Sequence, residues 1–479
     1  MLLPVIISGG SGERLWPVSR AAFPKPFITM PDGESLIQKA FLRAAAQPNV
    51  TEILTVTNRD HYFKTRSEYS AVNKNKAITS FILEPMGKNT APAIAMAASY
   101  ASAMYGDDTV MLILSADQLI NNVEAFTQAI SAAKTLAEKN QLVTFGITPN
   151  RPETGYGYIE CGEGHIVKRF VEKPDLETAN KYVSGGKHLW NAGIFCFKAG
   201  IFLQELEEHS PQVAQSVRRS VPDNWTQATY NYVELEDDLF AEIPNISVDY
   251  AVMEKSKNVA VVACDIGWND VGSWSAMGDM LESDTNNNKL VGEVYTYNSS
   301  NCFIQSSGRT VAAVGVQNLI VIDTPDALLV TNHEQAQNVK HIVGQLKECN
   351  NATSKEHSTI FRPWGSYTVL EESAGFKIKR LEVLPSHKLS LQTHKHRSEH
   401  WVVVSGKATV QNGEDIFELL PSQSTYIQAG NKHRLQNNEN GILVIVEVQC
   451  GNYLGEDDIT RFDDTYGRIK PETAQLKVR

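Results

Sequence analysis

Short apolar runs alternate with longer, more mixed segments along the first part of the chain. The runs, all rich in branched residues, are residues 5–7, 53–57, 80–83 and 110–114. Alternation of this kind is typical of a parallel sheet with helices on both faces, so the pattern predicts an α/β fold. Residues 89–106 predict one of those helices, with Asn89 or Thr90 as its cap and Gly106 at its end.

The pattern changes further along the chain. A polar patch at residues 282–289 indicates the end of the α/β region. Residues 290–333 contain short β-type runs, and a helical pattern follows at residues 334–347, which together predict a small β module with a closing helix. A polar linker at residues 348–359 precedes a β-rich remainder with regularly spaced turn residues, typical of a sandwich or a barrel. The predicted domains are residues 1–284, residues 285–347 and residues 357–479.

The composition narrows the class of protein. A chain of 479 residues is too long for a single core, because cores stop growing near ~250–300 residues. The net charge of −11 argues against a nucleic-acid binder, which needs a basic surface to neutralise phosphates. Six cysteines without a Cys-x-x-Cys pair favour reduced thiols, and no apolar run reaches the ~18 residues of a membrane span. We therefore expect a cytoplasmic protein that binds neither membranes nor nucleic acid.

A glycine-rich loop follows the first predicted strand, in the string ISGGSGERLWPVSRAAFPKPF at residues 7–27. Its glycines let backbone N–H groups approach an oxyanion, as phosphate-binding loops do. Arg14 follows the loop, and Lys25 lies between two prolines that favour an extended backbone. The string matches neither the dinucleotide fingerprint nor a Walker A motif. A tight turn with solvated charges would explain the glycines but not the position of Lys25, so phosphate binding is the favoured interpretation.

This string resembles the signature of the sugar-phosphate nucleotidylyltransferases. With Trp16 and Ser19-Arg20 it resembles their mannose-1-phosphate guanylyltransferase branch. Further blocks that resemble the family are EPMGKNTAPAIA (84–95), SAD (115–117), RPETGYGYIE (151–160), FVEKP (170–174), WNAGIF (190–195), SVDYAVMEK (247–255) and GWNDVGSW (267–274). The resemblance implies a Rossmann-like domain with a mixed, mostly parallel sheet.

The chemistry of nucleotidyl transfer accounts for the charged residues in these blocks. A sugar 1-phosphate is already an anionic nucleophile, so the obstacle is to bring two polyanions together, and cations must cancel their repulsion. Asp117 and Asp270 each follow a strand-like segment and would hold Mg²⁺ through their carboxylates. Arg14 and Lys25 would bind the triphosphate, and Lys173 would bind the sugar phosphate. These five residues are the predicted catalytic set.

The resemblance also implies two groups of binding residues. Those expected at the nucleotide are Gly9, Gly10, Ser11, Gly12, Glu84, Lys88, Asn89 and Thr90. Those expected at the sugar are Gly157, Glu172, Asn191 and Asp249. The chain departs from the usual family pattern at Gln118, Pro26 and Lys88, where histidine, glutamine and arginine are more common. Selectivity for guanine is implied by the resemblance alone.

A second concentration of candidate ligands lies in the string SLQTHKHRSEHWVVVSG at residues 390–406. Alternate residues of a strand share a face, so Gln392, His394 and His396 are expected to point together. Two metal-ligand sets are compatible with this spacing. One consists of Gln392, His394 and Glu399, and the other consists of His394 and His396, with or without His400.

The spacing of Glu399 and Gly406, followed by Gly430, His433 and Asn437, resembles the cupin pattern. The resemblance favours Gln392, His394, Glu399 and His433 as ligands in a C-terminal cupin β-barrel. Such mixed nitrogen and oxygen donors suit Zn²⁺ or another divalent first-row metal, which would polarise a carbonyl.

The same region resembles the type II phosphomannose isomerases in the strings at residues 361–367 and 448–468. Isomerisation of an aldose and a ketose needs such an electrophile beside a general base, and the sequence does not identify that base. Arg461, with Arg434 as a second candidate, would bind the 6-phosphate of the substrate.

The combined resemblance implies a bifunctional enzyme. One site would convert GTP and mannose 1-phosphate to GDP-mannose and pyrophosphate, and the other would interconvert mannose 6-phosphate and fructose 6-phosphate. These are non-consecutive steps of GDP-mannose synthesis, because a mutase must act between them. A homodimer or a higher homo-oligomer is expected.

Two alternatives are open at this stage. The cupin could be a structural or dimerisation module attached to an active guanylyltransferase. The whole protein could instead be a sugar-nucleotide sensor, although simple binding would not require the paired carboxylates of Asp117 and Asp270.

Overall fold

The structure is a computed structural model that describes residues 1–222, 225 and 231–463. The chain divides into two compact units, Met1–Lys355 and Glu356–Arg479. The predicted domains 1–284 and 285–347 both lie within the first unit, so the boundary between them stays a prediction. Residues 464–479, which include the end of the 448–468 string, lie outside the described residues.

The first unit alternates strands and helices as the apolar pattern predicts. Its strands are β1 (Leu2–Ser8), β2 (Glu52–Asn58), β3 (Ile78–Glu84), β4 (Val110–Ser115), β5 (Leu119–Ile120), β6 (Leu142–Ile147), β7 (Tyr158–Cys161), β8 (Val167–Val171), β9 (His188–Lys198), β10 (Tyr232–Glu234), β11 (Val259–Ala263), β12 (Trp268–Asn269), β13 (Lys289–Val291), β14 (Val294–Tyr297), β15 (Phe303–Gln305), β16 (Val311–Val314), β17 (Leu319–Thr324) and β18 (Ala327–Asn332). Its helices are α1 (Leu36–Ala45), α2 (Tyr62–Val72), α3 (Thr90–Tyr105), α4 (Val123–Ala137), α5 (Leu176–Gly185), α6 (Ala199–His209), α7 (Pro211–Ser220), α8 (Asp237–Ala241), α9 (Trp274–Gly278) and α10 (Val339–Glu348). The four apolar runs coincide with β1 to β4.

Helix α3 has the ends that the sequence predicts. The Asn89 side chain accepts a hydrogen bond from the backbone N–H of Thr90, which satisfies one donor of the first turn. Gly106 ends the helix with a φ of 92°, a conformation that glycine adopts without a steric penalty. The small residues between these ends bury almost the whole helix, from Ala91 to Ala101, against the sheet.

The main sheet has the mixed, mostly parallel order that the sequence predicts. Its path is β10-β3-β2-β1-β4-β9-β6-β11. The neighbours on this path are parallel except at β9, which runs antiparallel to β4 and β6. Leu3 and Val5 of β1 share a core with α3 on one face, and Ile6 shares a core with α1 and α4 on the other. The carboxyl ends of β1 to β4 therefore meet at one edge, where ligands of such sheets bind.

Strands β13 to β18 form the small β module, and α10 follows it. Strands β13, β15 and β17 are parallel neighbours, and β14 and β16 form a second parallel pair, so successive strands stack in short coils. The module packs on the signature segment, since Arg20 Nη2 lies 3.0 Å from Asp326 Oδ1. The Trp16 indole donates at 3.0 Å to the carbonyl of Thr353, which follows α10. The sequence predicted the module and its closing helix but not the parallel stacking.

The described part of the second unit consists of strands and one short 3-10 helix, Glu456–Asp458. Its strands are β19 (Thr359–Arg362), β20 (Gly365–Ser373), β21 (Phe376–Val383), β22 (Leu391–His394), β23 (Arg397–Ser405), β24 (Ala408–Asn412), β25 (Asp415–Leu419), β26 (Ser424–Ile427), β27 (His433–Asn437), β28 (Leu443–Gly451) and β29 (Ile459–Asp463). They form two sheets, ordered β19-β20-β21-β28-β23-β26 and β25-β24-β27-β22-β29. Trp401, Val410 and Leu435 are fully buried with others in one core. This is the cupin-like barrel that the sequence predicts.

Two further predictions can be compared with the structure. None of the helices in the described part of the chain combines the length and apolar character needed to cross a bilayer. All six cysteines are free thiols.

The Arg20–Asp326 pair predicts how strongly the small β module depends on the signature segment. The Arg20 side chain is fully buried, so Asp326→Asn would leave its charge facing a neutral amide. Removing one partner of a buried pair typically costs about 3 kcal/mol. We expect Asp326→Asn to lower the free energy of unfolding of the first unit by about this amount. Chemical denaturation measures the change as a lower midpoint.

The matched control is Asp279→Asn. Asp279 pairs with Lys289 at 3.2 Å, but its side chain is 62% exposed, and such pairs contribute less than about 1 kcal/mol. Equal shifts in the two variants would contradict the anchoring role of Arg20.

Candidate functional site

The glycine loop after β1 closes directly on Lys25. Gly12 has a φ of 66°, and a methyl group at this position would lie 2.5 Å from the Cβ of Lys25. Only glycine fits here, because both the backbone conformation and the space exclude a side chain. The Ser19 hydroxyl donates to the Gly12 carbonyl at 2.6 Å and holds the end of the loop. Gly9 and Gly10 are exposed, so their part of the loop is open to a ligand.

Lys25 lies between the two predicted metal carboxylates. Its Nζ is 3.0 Å from Asp117 Oδ2 and 3.8 Å from Asp270 Oδ1, and it also donates to the Asp270 carbonyl. The prediction of an extended backbone at Lys25 was wrong, because residues Lys25–Phe27 form a short 3-10 helix after the extended Pro24. Prolines are compatible with this turn, since the first N–H groups of a helix have no partner inside it.

The charges of this trio shift one another's pKa values. Burial opposes ionisation of Asp117, but the charge of Lys25 and hydrogen bonds from Ser115 and Lys25 outweigh it and lower the pKa of Asp117. Burial, together with the nearby Asp117, raises the pKa of Asp270 in spite of Lys25. Burial would lower the pKa of Lys25, yet the two carboxylates raise it. The Lys25 ammonium group therefore offsets part of the cost of burying the two carboxylates.

The trio forms part of one cleft with a volume of about 190 Å³. Its walls are Gly10, Gly12, Arg14, Leu15, Lys25, Asp117, Asp270 and Gly272. Arg14 Nη1 donates to Gln337 Oε1 at 2.8 Å, so the segment before α10 orients this guanidinium. The structure thus brings together the loop glycines and four of the five predicted catalytic residues.

Gln118 is a supporting residue that the sequence analysis did not identify as one. Its Nε2 donates to the Ala192 carbonyl at 2.8 Å, and its Oε1 accepts from the Trp268 indole at 3.1 Å. Residues 119–120 pair with residues 268–269 through β5 and β12. These contacts set the distance between Asp117 and Asp270. The sequence offered one indication of this role, because Gln118 stands where the family more commonly has histidine.

The four residues predicted at the sugar also converge. Asn191 Nδ2 donates to Asp249 Oδ1 at 3.0 Å, and the Asn191 backbone N–H donates to the Gly157 carbonyl at 2.8 Å. A methyl group on Gly157 would lie 2.5 Å from Glu172 Oε2. That oxygen is buried without a hydrogen-bond partner among the described residues. Burial, followed by the charge of Glu172, raises the pKa of Asp249 to about 7. The cluster offers carboxylate and amide groups suited to hydroxyl ligands.

Lys173 lies beside this cluster in a strained conformation. Its φ is 48°, which is uncommon for a residue with a side chain and is often found at functional sites. Its Nζ lies 3.0 Å from Glu172 Oε1, and its side chain is 60% exposed. Its backbone N–H donates to the Tyr156 carbonyl at 3.2 Å, and the Tyr156 ring packs edge-on against Trp268. Lys173 is thus connected to the Asp270 segment through Tyr156.

The remaining nucleotide candidates lie at the same edge of the sheet. Glu84 ends β3 and is buried, and burial raises its pKa to about 8. Lys88 donates to the Ala241 carbonyl at 2.6 Å, and Thr90 Oγ1 accepts from the Val248 N–H at 2.9 Å. Asn89 caps α3, while Ser11 donates to Glu13 at 3.3 Å. These residues lie near the carboxyl ends of β1 and β3, at the same edge of the sheet as Asp117 after β4.

In the second unit, His394, Glu399 and His433 form a compact, fully buried group. Each offers one ligand atom within 4.8 Å of the others. His394 Nε2 lies 3.1 Å from Glu399 Oε1, and His433 Nε2 lies 3.7 Å from Glu399 Oε2. Neither nitrogen makes a well-aligned hydrogen bond within the described residues. Burial opposes ionisation of Glu399, but the two imidazoles and Arg397 outweigh it and lower its pKa.

The surroundings orient these side chains. The Trp401 indole donates to Glu399 Oε2 at 3.1 Å, and Gln449 Nε2 donates to Glu399 Oε1 at 3.2 Å. His433 Nδ1 lies 3.0 Å from the Asn431 carbonyl and must be the protonated nitrogen there. Nε2 of His433 is then unprotonated and free to bind a metal. Burial lowers the pKa of His433, which favours the same neutral form.

The structure distinguishes between the two ligand sets that the spacing left open. Strand β22 ends at His394, so His396 lies beyond it and is exposed, contrary to the prediction that it shares a face with Gln392 and His394. His400 is also exposed and packs beside Tyr426. The geometry therefore brings together His394, Glu399 and His433, not His396 or His400.

A cavity beside this group carries the remaining candidates. Gln392 and Arg461 line it, and so do the cations Arg362, Lys379 and Arg397, which the sequence analysis did not select. Arg362 lies in the string at residues 361–367 that resembles the isomerases, and this resemblance could have identified it. Arg434 does not line this cavity: it follows the inward His433 on β27, faces the other side, and pairs with Asp463. Arg434 therefore lies apart from this cavity, and its role as a phosphate ligand stays a prediction.

Both sets of candidate ligands have donor atoms suited to the metals that the sequence predicts. Asp117 and Asp270 offer only hard oxygen donors, as Mg²⁺ prefers. His394, Glu399 and His433 combine nitrogen and oxygen donors, as Zn²⁺ and other divalent first-row metals prefer. The unpaired Nε2 of His433 supports the second assignment, because a buried nitrogen without a partner is costly unless a ligand binds it.

Comparison with known proteins gives consistent results along the chain. Models of three families match, namely nucleotidyl transferase at residues 3–287, the MannoseP isomerase/GMP-like beta-helix domain at residues 292–346 and the mannose-6-phosphate isomerase C-terminal domain at residues 349–464. Xanthan biosynthesis protein XanB of Xanthomonas campestris pv. campestris is 43% identical over 98% of this chain and 99% of its own length. A mannose-1-phosphate guanylyltransferase of Klebsiella pneumoniae is 42% identical over 98% of this chain and its whole length. A crystal structure described as mannose-1-phosphate geranyltransferase from Thermus thermophilus is 30% identical, covers 72% of this chain and 99% of its own, and superposes with a TM-score of 0.62.

The buried histidine group predicts a specific pattern of metal retention. His394→Ala or His433→Ala removes an inward ligand, so we expect either variant to lose one tightly bound divalent ion per chain after dialysis. Elemental analysis by mass spectrometry measures this ion. His396→Ala and His400→Ala are the matched controls, because these histidines are exposed. Loss of the ion from the controls and its retention in His394→Ala would contradict the assignment.

Proposed function

The chain belongs to the mannose-1-phosphate guanylyltransferases that carry a C-terminal mannose-6-phosphate isomerase domain, and we propose that both of its active sites are functional. The first site would transfer GMP from GTP to mannose 1-phosphate and release pyrophosphate. The second would interconvert mannose 6-phosphate and fructose 6-phosphate. The GDP-mannose formed would supply mannosyl units for polysaccharide synthesis.

One observation carries the transferase proposal. Lys25, Asp117 and Asp270 come from distant segments and meet beside the glycine loop and Arg14 in a single cleft. A phosphate-binding loop, two cationic side chains and a pair of carboxylates are what nucleotidyl transfer requires, because the reaction consists mainly of positioning and charge neutralisation.

Each residue of this cleft has a role in the proposed reaction. The open N–H groups of Gly9 and Gly10 would bind triphosphate oxygens, and Arg14 would bind the same group from the side. Lys25 would neutralise charge on the α-phosphoryl group as the oxygen of the sugar phosphate attacks it. Asp117 and Asp270 would hold Mg²⁺, which when bound supplies positive charge to the phosphate oxygens and the leaving pyrophosphate.

The sugar phosphate would occupy the neighbouring cluster. Glu172, Asn191 and Asp249 would accept or donate hydrogen bonds to the mannose hydroxyls, and the absence of a side chain at Gly157 leaves room for them. Lys173 would leave its pair with Glu172 and bind the 1-phosphate. The buried, unpartnered oxygen of Glu172 supports this assignment, because it would gain a hydrogen bond when the sugar binds.

The nucleotide candidates along the sheet edge would complete the site. Asn89 and Thr90 lie at the N-terminus of α3, and the positive end of this helix dipole would favour phosphate oxygens at the edge where the nucleotide would lie. Glu84 and Lys88 precede this helix and would contact the base or ribose, and Ser11 would contact the triphosphate. Selectivity for GTP over other nucleotides is part of this proposal.

The isomerase site would lie in the cavity of the second unit. His394, Glu399 and His433, with Gln392, would hold Zn²⁺ or another first-row ion, which when bound polarises the sugar carbonyl. Arg461 would bind the 6-phosphate. Arg362 and Lys379 line the same cavity and add positive charge for that phosphate.

An inactive, purely structural cupin accounts less well for this site. A structural barrel gains stability by filling its interior with apolar side chains. Here a buried carboxylate, two imidazoles with unpaired nitrogens and several cations surround an open cavity. Leaving the imidazole nitrogens without hydrogen-bond partners costs on the order of 1–3 kcal/mol each, so the arrangement favours a catalytic function.

We also propose that both reactions take place in the cytoplasm and that the chain forms a homodimer or a higher homo-oligomer. The six free cysteines support a reducing location.

The transferase proposal predicts the effect of removing either carboxylate. Asp117→Asn and Asp270→Asn should each lower pyrophosphate release from GTP and mannose 1-phosphate by on the order of a hundredfold or more, because the cation ligand is lost. Assays with the four common nucleoside triphosphates and with mannose and glucose 1-phosphates measure both rate and selectivity. Asp279→Asn, on the surface, is the control. Full activity of the Asp117 variant would contradict the proposed site.

Each of the two activities should be lost without loss of the other when its own site is altered. His394→Ala is expected to abolish formation of fructose 6-phosphate from mannose 6-phosphate, because the metal site loses a ligand, while pyrophosphate release continues at the normal rate. Asp117→Asn should give the opposite result. If the unmodified protein forms no fructose 6-phosphate with any divalent metal, the cupin has a structural role instead.

A further inference from the structure

The ammonium group of Lys25 occupies the space between the two carboxylates of the transferase site. Asp117 Oδ2 lies 3.0 Å from Nζ, Asp270 Oδ1 lies 3.8 Å away, and the Asp270 carbonyl accepts a hydrogen bond from the same group. An ammonium group has three hydrogens and no acceptor. Its donors are therefore directed at the oxygens of the residues that would hold a divalent cation.

The base of the Lys25 side chain is fixed, whereas its tip has an alternative partner. Gly12 packs on its Cβ, and the side chain is only 5% exposed. The tip, however, faces a cleft that also contains Gly10 and Arg14, where the triphosphate is proposed to bind. A small rotation of the terminal bonds would move Nζ from the carboxylates to a phosphate oxygen without displacing the backbone.

A divalent cation and this ammonium group compete for the same oxygens. Two positive groups within about 4 Å repel strongly in a partly buried site. The carboxylates of Asp117 and Asp270 are about one-quarter exposed, so solvent screens this repulsion only in part. Binding of the metal therefore requires Lys25 to leave, and Lys25 leaves readily only when another anion receives it.

We propose that Lys25 is the resident counter-ion of Asp117 and Asp270 in the nucleotide-free protein, and that it yields this place to the divalent cation only when the triphosphate binds. The proposal rests on the proposed transferase function, because it requires a nucleotide at the glycine loop. It makes metal and nucleotide binding cooperative, because neither ligand has to displace Lys25 once the other is present. Such coupling is reciprocal, so the metal strengthens nucleotide binding by the same factor.

The arrangement has a functional consequence for the order of binding. Without a nucleotide, the two carboxylates share the single positive charge of Lys25 and bind a metal only weakly. When the nucleotide arrives, the lysine moves toward the α-phosphoryl group, where positive charge is needed for the reaction. One side chain thus links occupancy of the metal site to the presence of the substrate.

Direct binding of Mn²⁺ tests the proposal without turnover. Electron paramagnetic resonance titrations would use the full chain with His394→Ala and His433→Ala, which silence the other metal site. In this background we expect weak Mn²⁺ binding that strengthens by on the order of tenfold to a hundredfold when a GTP analogue with a methylene group between the α- and β-phosphorus atoms is added. Equal Mn²⁺ affinity with and without the analogue would overturn the proposal.

Substitution of the lysine provides the second measurement. Lys25→Met should bind Mn²⁺ at least about tenfold more tightly than the parent in the absence of nucleotide, because the competing charge is gone. Lys181→Met is the matched control, since Lys181 pairs with Glu177 on the exposed surface of α5 and should leave the affinity unchanged. Unchanged or weaker Mn²⁺ binding in Lys25→Met overturns the proposal. Because the measurement does not depend on turnover, a failure of the transferase assay would be recognised separately.

Discussion

Compensation of charge inside a partly buried cleft is the constraint on which the transferase site depends. Lys25, Asp117 and Asp270 lie far apart in the sequence, and each alone would be costly to bury. The short ladder between β5 and β12 fixes the two aspartates relative to each other, and the glycine loop fixes the lysine. The cleft is stable because these charges meet, and it is reactive for the same reason, since a nucleotide and a divalent cation can replace the internal pairing.

The second unit satisfies a similar constraint with different groups. Glu399 is completely buried, and Arg397, Trp401 and Gln449 all donate hydrogen bonds to it. Two imidazoles complete the group in place of an ammonium ion. Imidazoles held by the barrel would not have to move before a metal binds, whereas the proposal for Lys25 requires its ammonium group to move. If Lys25 acts as proposed, this difference would give the chain one metal site that is always available and a second that depends on the substrate.

The small β module connects the signature segment to the rest of the first unit. Trp16 and Arg20 belong to the string that carries the family resemblance, yet their side chains contact Thr353 and Asp326 and not the cleft. Gln337, just before α10, orients Arg14. Part of the signature therefore serves packing, and the segment just before α10 supports the geometry of the cleft.

Local sequence patterns determined much of the secondary structure of this protein. Strands β1 to β4 and helix α3 follow from apolar periodicity and capping, and these depend on residues that are neighbours in the chain. The spacing of the histidine string, with the cupin resemblance, also selected His394, Glu399 and His433.

The tertiary structure alone decided which side chains face inward. Strand β22 ends before His396, and Arg434 faces away from the cavity, because strand pairing between distant segments sets where a strand stops and which of its faces is covered. The position of Lys25 between two aspartates was likewise not predictable, since it results from contacts among three segments that only the folded chain brings together.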